Sequence, residues 1–257
     1  MSFKDKIVLI TGGTHGIGLA IAKELTAQGA QVIVTGRSAA KADQAMTELG
    51  PAATFIHCDI SKKDSVSNLF KKIVDDFGGL DLAVNNAGVT SKRNNLANID
   101  VEDWQNTIDI NITGTMLCLK HQIPLIGQKP KGAVVNVSSC AGVTPIPNQA
   151  AYSVSKAAVN CLTQVAAIEF AQDLELGYAV RINAIAPGPT LGGMNTPERL
   201  AADPVATKQK LAVTAMKRMA EPQEIVAATL FLLGEQSSYI TGSVLDVDGG
   251  YSCGKFS

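Results

Sequence analysis

The run Thr11-Gly12-Gly13-Thr14-His15-Gly16-Ile17-Gly18 decides how the rest of the chain reads. A short β-branched stretch, Ile7–Thr11, precedes it and an amphipathic stretch, Ile17–Gln28, follows, so the glycines fall where a strand turns straight into a helix. Gly12, Gly16 and Gly18 permit a tight turn and close approach to the backbone. The free N–H groups and partial positive charge of the helix start then favour a phosphate. At the first strand-to-helix turn of a βαβ unit this pattern predicts a bound dinucleotide pyrophosphate; a purely structural turn is the alternative.

Working outward, short apolar runs alternate with longer helical patterns along the whole chain. Strands are expected at Ile7–Thr11, Gln31–Thr35, Thr54–Cys58, Leu80–Asn85, Gly132–Ser138, Ala179–Ala184 and Val244–Val247. Helical stretches are expected at Ile17–Gln28, Lys62–Phe77, Val101–Ile126 and Ala150–Leu174. Such alternation requires right-handed crossovers and predicts a doubly wound α/β fold, a parallel sheet of about seven strands with helices on both faces. Most strands are continuous hydrophobic runs, as Val32-Ile33-Val34 shows, which a sheet buried on both faces demands. No linker, repeat or low-complexity tract interrupts residues 1–257, so one domain is expected, with its ligands just beyond the strand ends.

Composition narrows the function. With 46% hydrophobic and 18% charged residues the chain has material for a large core. A net charge of −1, with basic residues scattered, argues against nucleic acid or anionic membranes as partners. The five cysteines (58, 118, 140, 161 and 253) form no C-x-x-C pair, and with three histidines they make no zinc pattern, so no metal is expected. The start of the chain leads into only five apolar-leaning residues, too few for a signal-peptide core, and no apolar run approaches the roughly 18–20 residues of a membrane span. A cytoplasmic protein with reduced thiols is expected.

The end of the second strand, Thr35-Gly36-Arg37-Ser38, lacks the carboxylate that would accept hydrogen bonds from a free ribose 2′-hydroxyl. Arg37 instead offers a planar fork to a 2′-phosphate, with Ser38 donating beside it, and NADP(H) is preferred over NAD(H). A solvated arginine opening the next helix is the other reading. His15 is a further candidate for the same phosphate.

These features and others resemble the short-chain dehydrogenase/reductase family over nearly the whole length, and the 3-oxoacyl-carrier-protein reductases within it in length and motif pattern. The resemblance is carried by the glycine turn, Asn85-Asn86-Ala87-Gly88, Asn111, Ser139, Tyr152-x-x-x-Lys156 and Pro187-Gly188, in the family's order and approximate spacing. The chemistry reads independently. Reducing a carbonyl leaves an alkoxide that needs a proton donor within reach. Tyr152 and Lys156, four apart in a helical stretch, share one face, and a neighbouring ammonium together with the positive oxidised nicotinamide is expected to lower the phenol's pKa. Ser139, after the fifth strand, is placed to bond the developing oxyanion. The resemblance implies that the lysine also holds the nicotinamide ribose and that Asn111 completes a proton relay through water. It also implies cofactor contacts from Gly12, Thr14, His15, Gly16, Ile17 and Gly18, from Asp59 and Ile60, and from Asn86, Ala87 and Gly88. Tyr152, Lys156, Pro187, Gly188 and Thr190 complete that set. Asp59 could instead cap the following helix, with Ser61 competing for the position.

Two departures stand out: Gly192 replaces a threonine common in the family, and about five additional residues carrying Asp173 and Glu175 lie before Arg181. The substrate pocket is expected from residues 188–216, Thr90–Leu96 and Val143–Asn148. The expected function is NADP-dependent hydride exchange with a small carbonyl or alcohol. Reduction of a 3-oxoacyl group on an acidic carrier protein, drawn by Lys129 and Lys131, and a non-catalytic NADP-binding regulator are the alternatives. The two long helical stretches carry apolar residues on more than one face, Ile108, Ile112 and Leu119 in one and Val159, Leu162 and Ala166 in the other. With the resemblance, which also gives a role to residues 239–257, they predict a homotetramer, with a dimer as second choice.

Overall fold

The computed structural model describes residues 3–129, 131–171 and 179–254. Asp173 and Glu175 lie outside them. The described residues form one seven-stranded sheet in the order β3-β2-β1-β4-β5-β6-β7, made of β1 (Ile7–Thr11), β2 (Gln31–Gly36), β3 (Ala53–His57), β4 (Leu82–Asn85), β5 (Ala133–Val137), β6 (Arg181–Pro187) and β7 (Val244–Val247). Every pairing is parallel. The strand order reverses between β1 and β4, and a crevice opens beyond their C-terminal ends.

The hydrophobic strands alternate between two cores. Val8 and Ile10 of β1, with Val32 and Val34 of β2, pack against Ile21 and Leu25 of α1 (Gly16–Ala27) and Ile225 and Leu230 of α9 (Pro222–Leu233). Leu9 and Ile33 point the other way, among Leu69 and Ile73 of α3 (Lys63–Phe77), Leu119 and Ile123 of α5 (Gly114–Ile126), and Ala166 and Ala167 of α6 (Ala150–Phe170). Burial of both faces explains why these strands read as unbroken apolar runs.

Three differences from the expected elements have physical causes. The stretch expected as one helix over residues 101–126 is α4 (Val101–Ile108), a π turn (Asp109–Thr113) and then α5. β6 continues through Ile185 and Ala186 to Pro187, because these residues pair with Leu245, Asp246 and Val247 of β7. Helix α2 (Ala39–Leu49) follows Ser38, where a helix was expected without bounds, and α9 had no expected counterpart. The end of α9 is secured by the Arg181 guanidinium, which donates to the carbonyls of Leu232, Leu233 and Gly234. Two short helices, α7 (Pro197–Ala202) and α8 (Pro204–Ala212), cover the crevice mouth.

The residues expected to give α5 and α6 a second apolar face are corrected. Leu119, Val159 and Ala166 are buried in the chain's own core, and Ile108, Ile112 and Leu162 are half-buried. The exposed apolar positions are instead Met116 on α5 and a stripe of Val154, Val165 and Ile168 on α6.

Candidate active site

The glycine turn begins where β1 meets the switch in strand order. Gly12 and Gly16 adopt φ values of 63° and 57°, which glycine accepts without strain. A Cβ on Gly12 would stand 2.9 Å from the Ala87 Cα, and one on Gly18 would stand 2.4 Å from the Gly12 carbonyl oxygen. The Asn86 side chain donates to the carbonyls of Thr11 and Gly12 at 3.1 and 3.0 Å, so its amide braces the turn itself. Its neighbour Asn85 points into the core, where it joins Gln122, Asn136 and Thr163 in a buried chain of hydrogen bonds across β4, α5, β5 and α6.

A cavity of about 1170 Å³ runs from this turn across the strand ends. One end holds Gly12, Thr14, His15, Gly16 and Ile17 with Arg37, Ser38, Lys41, Asp59 and Ile60. The Ser38 Oγ accepts from the Lys41 N–H as the N-cap of α2, which leaves its hydroxyl proton for another acceptor. Burial and the charge of Lys41 lower the His15 pKa, so this ring is no strong cation. Neither Asp59 nor Ser61 caps α3, whose N-cap position is Lys62. The Asp59 Oδ1 accepts instead from the Ser61 N–H and hydroxyl. Burial pushes the Asp59 carboxyl up, but these bonds, with Arg37 and Lys62, hold it below its ordinary value. Lys41, in the first turn of α2, was not among the expected cofactor residues.

Ser139, Tyr152 and Lys156 meet near the middle of the cavity. Ser139 follows β5; its Oγ accepts from the Ala141 N–H at 3.1 Å, leaving the hydroxyl proton directed elsewhere. The adjacent Ser138 spends its hydroxyl on the Lys156 carbonyl at 3.0 Å. Tyr152 lies in the first turn of α6, and the Lys156 Nζ stands 5.8 Å from its ring centroid while donating to the Val137 carbonyl at 2.8 Å. Gly142 lets α6 come this close, since a Cβ there would stand 2.6 Å from the Lys156 carbonyl carbon.

Without the positive nicotinamide, the Tyr152 phenol is shifted upward. Burial raises the phenol's pKa, and the nearby Ser139 hydroxyl only partly opposes this. The same burial pushes the Lys156 ammonium down to about 8.

Asn111 sits in the π turn, fully buried, and does not line the cavity. Its Oδ1 accepts from the Val89 N–H at 2.8 Å, and its Nδ2 donates to the Val89 carbonyl and the Ser155 Oγ, each at 2.9 Å. Nothing in the sequence spacing singled out Val89 or Ser155.

Gly88, Pro187, Gly188 and Thr190 line the cavity, with Thr190 bonding back to the Gly188 carbonyl. Gly192 has a φ of 77°, a conformation a threonine would strain, and it pairs with Asn195 in a tight loop. That loop presses on the glycine turn, where a Cβ on Gly16 would stand 2.9 Å from the Gly193 Cα. Of the expected pocket segments, Thr90, Ser91, Arg93, Ile146 and Pro147 line the cavity with residues from Pro189 to Val213, while Leu96 and Val143 do not. Tyr251, near the end of the chain, was not foreseen there.

The fold and this crevice define a nucleotide-binding oxidoreductase scaffold. A family model described as enoyl-(acyl carrier protein) reductase matches residues 12–252. A 3β-hydroxysteroid dehydrogenase of Mediterraneibacter gnavus is 35% identical over 97% of this chain and 96% of its own. A cis-4-hydroxycyclohexanecarboxylate dehydrogenase of Sinomonas cyclohexanicum is 34% identical, covering 98% of each chain. The solved structure of ElxO with NADP bound superposes with a TM-score of 0.89 at 31% identity, covering 97% of this chain and 100% of that one. The chain belongs to the short-chain dehydrogenase/reductase family, whose members use a nicotinamide cofactor. Among the described residues no helix is long and apolar enough to cross a membrane.

Proposed function

We propose that this protein is an NADP-dependent oxidoreductase interconverting a secondary alcohol on a saturated ring with its ketone, Tyr152 acting as general acid/base. The observation that carries this reading is the meeting of Ser139, Tyr152 and Lys156 in a cavity whose far end is the glycine turn. The ring in the substrate is suggested by the alicyclic alcohols in the relatives' names. The cradle fits the cofactor: glycine backbone and the start of α1 for the pyrophosphate, Arg37 and Lys41 for a 2′-phosphate, Asp59 and Ile60 for the adenine edge, and Asn86 to Gly88 along the adenosine. Pro187, Gly188 and Thr190 would flank the carboxamide.

A nicotinamide held there would supply the hydride acceptor for oxidation and the hydride donor for reduction. The protein handles the proton. In reduction the Tyr152 phenol gives its proton to the substrate oxygen; in oxidation the phenolate takes it back. The Ser139 hydroxyl donates to that same oxygen and holds the carbon in place. Lys156 restores the Tyr152 proton and stabilises the phenolate, which the burial of both groups otherwise disfavours. Asn111 fixes the backbone around Val89 and α6 without touching the substrate. The free thiols of all five cysteines support a reducing, cytoplasmic setting.

Carrier-protein reduction is the second reading, favoured by the description of the matching family model. It is weakened on the surface, where the Lys131 ammonium is paired with Glu235 at 2.8 Å. Assaying cyclic ketones, cyclic alcohols and 3-oxoacyl carrier protein by absorbance of the reduced nicotinamide tests both. Tyr152→Phe should cut turnover at least about 10²-fold while leaving NADPH binding intact. Near-normal turnover in that folded variant, or cofactor oxidation with no ketone at all, would overturn the proposal.

A further inference from the structure

Arg93, at the substrate end of the cavity, is an exposed cation without an ion-pair partner among the described residues. It follows β4 and lines the cavity together with Ile146, Gln149, Tyr152 and Tyr251. Its backbone is held on both sides. The Lys92 N–H donates to the Asp103 carboxylate at 2.8 Å, and the Asn94 N–H donates to the Asn148 carbonyl at 3.1 Å, with Asn94 bridged to Gln149 just ahead of α6. The position of Arg93 is therefore set relative to Tyr152. The neighbouring Lys92 ammonium is paired with Asp100, whereas Arg93 enters no ion pair among the described residues.

The groups around it leave its charge unanswered. Tyr251 faces it as a neutral phenol, raised by burial and pulled down by the Arg93 charge. The Asp248 carboxylate behind Tyr251 is spent on the N–H groups of Gly250, Tyr251 and Ser252. The other arginine at this end, Arg199, rests on the Met194 carbonyl. Asp203 also lines the cavity but has interactions of its own. An arginine fork in such a place matches a carboxylate in plane and in spacing.

We propose that the substrate bears a carboxylate and that Arg93 receives it, which rests on the oxidoreductase reading above. The reacting oxygen then lies at Ser139 and Tyr152, the ring against Ile146 and Met194, and the anion at the mouth beside Tyr251. A surface arginine that simply remains solvated predicts no such preference.

Kinetics with a hydroxycyclohexane carboxylic acid and its methyl ester, in saturating oxidised cofactor, test this. The acid should have the higher kcat/KM by about tenfold or more, and Arg93→Gln should lower it by a similar factor while leaving the ester within about twofold. Arg93→Lys should recover part of the loss. Equal use of acid and ester by the unaltered protein, or equal losses on both in Arg93→Gln, overturns the proposal. A binding titration of cyclohexanecarboxylate, which has no hydroxyl to react, separates the two levels. Binding that Arg93→Gln abolishes supports the anion site even where no alcohol is turned over, a result that would remove the oxidoreductase reading alone. Failure of that compound to bind the cofactor-loaded protein removes the anion site whatever the turnover.

Discussion

The Asn111 side-chain amide donates to the Ser155 Oγ at 2.9 Å, and the Ser155 hydroxyl donates in turn to the Tyr152 carbonyl at 2.8 Å. The π turn carrying Asn111 is thus tied to the first turn of α6, where Tyr152 and Lys156 stand. Single π turns recur at functional sites, and here the turn places a buried amide between two elements that meet at the cavity. Replacing Ser155 by Ala leaves one Asn111 N–H buried without an acceptor, which costs about 1–3 kcal/mol. Urea unfolding should show that loss, and turnover should fall with NADPH affinity retained. Unchanged stability would mean that Asn111 finds another acceptor.

Arg37 and Lys41 bring two cations to the end of β2, whose own residues Thr35 to Ser38 include no carboxylate. NADPH should bind more tightly than NADH, and Arg37→Ala should remove most of the difference, since one charge-assisted phosphate pair is worth roughly 1.5–3 kcal/mol. Lys41→Ala should remove a smaller part. Fluorescence titration of each cofactor is the measurement, and equal affinities in the unaltered protein would sink the assignment.

Lys156 gives the cofactor-free protein a definite pH dependence. In the unfolded chain it holds its proton to about 10.5, whereas burial pushes the folded group down to about 8. Across that window the unfolded state binds a proton that the folded state has released, so stability rises with pH and is lost again as pH falls towards 8. Tyr152 shifts upward and contributes only above its ordinary value near 10. Thermal unfolding at about pH 7.5 and about 9.5 should show the unaltered protein gaining on Lys156→Met at the higher pH. Parallel curves for the two proteins would place the lysine in water.

Val154, Val165 and Ile168 recur on one face of α6, and all three are exposed, Ile168 at 80%. An apolar helix stripe of that kind needs a cover, and a second copy of the chain is the partner in the proposed homotetramer. Light scattering should give a mass near four chains, or two if only one interface forms, and Ile168→Asp should reduce it. A mass near one chain for the unaltered protein rejects the assembly.

The fold was legible because it is written in local patterns. The unbroken apolar strands, their alternation with helices and the glycines after Thr11 require no knowledge of distant contacts, whereas Tyr152 and Lys156 were singled out by the family resemblance that the motifs carry together. The bounds of α2 and the presence of α9 were not legible. The first helix buries only two alanines and a leucine, Ala42, Ala45 and Leu49, and the second is apolar almost all round because it lies in the core.

The sequence by itself determined the parallel doubly wound sheet, through short-range periodicity, and the family, through motifs from Thr11 to Gly188 in their order and spacing. Tertiary structure decided what the residues of the site experience. Burial raises the Tyr152 pKa in the cofactor-free protein, the π turn withdraws the Asn111 side chain into hydrogen bonds with Val89 and Ser155, and Asn148 and Asp103 hold the backbone on either side of Arg93. Desolvation and long-range hydrogen bonds arise from segments far apart in the chain, and no local pattern of residues encodes them.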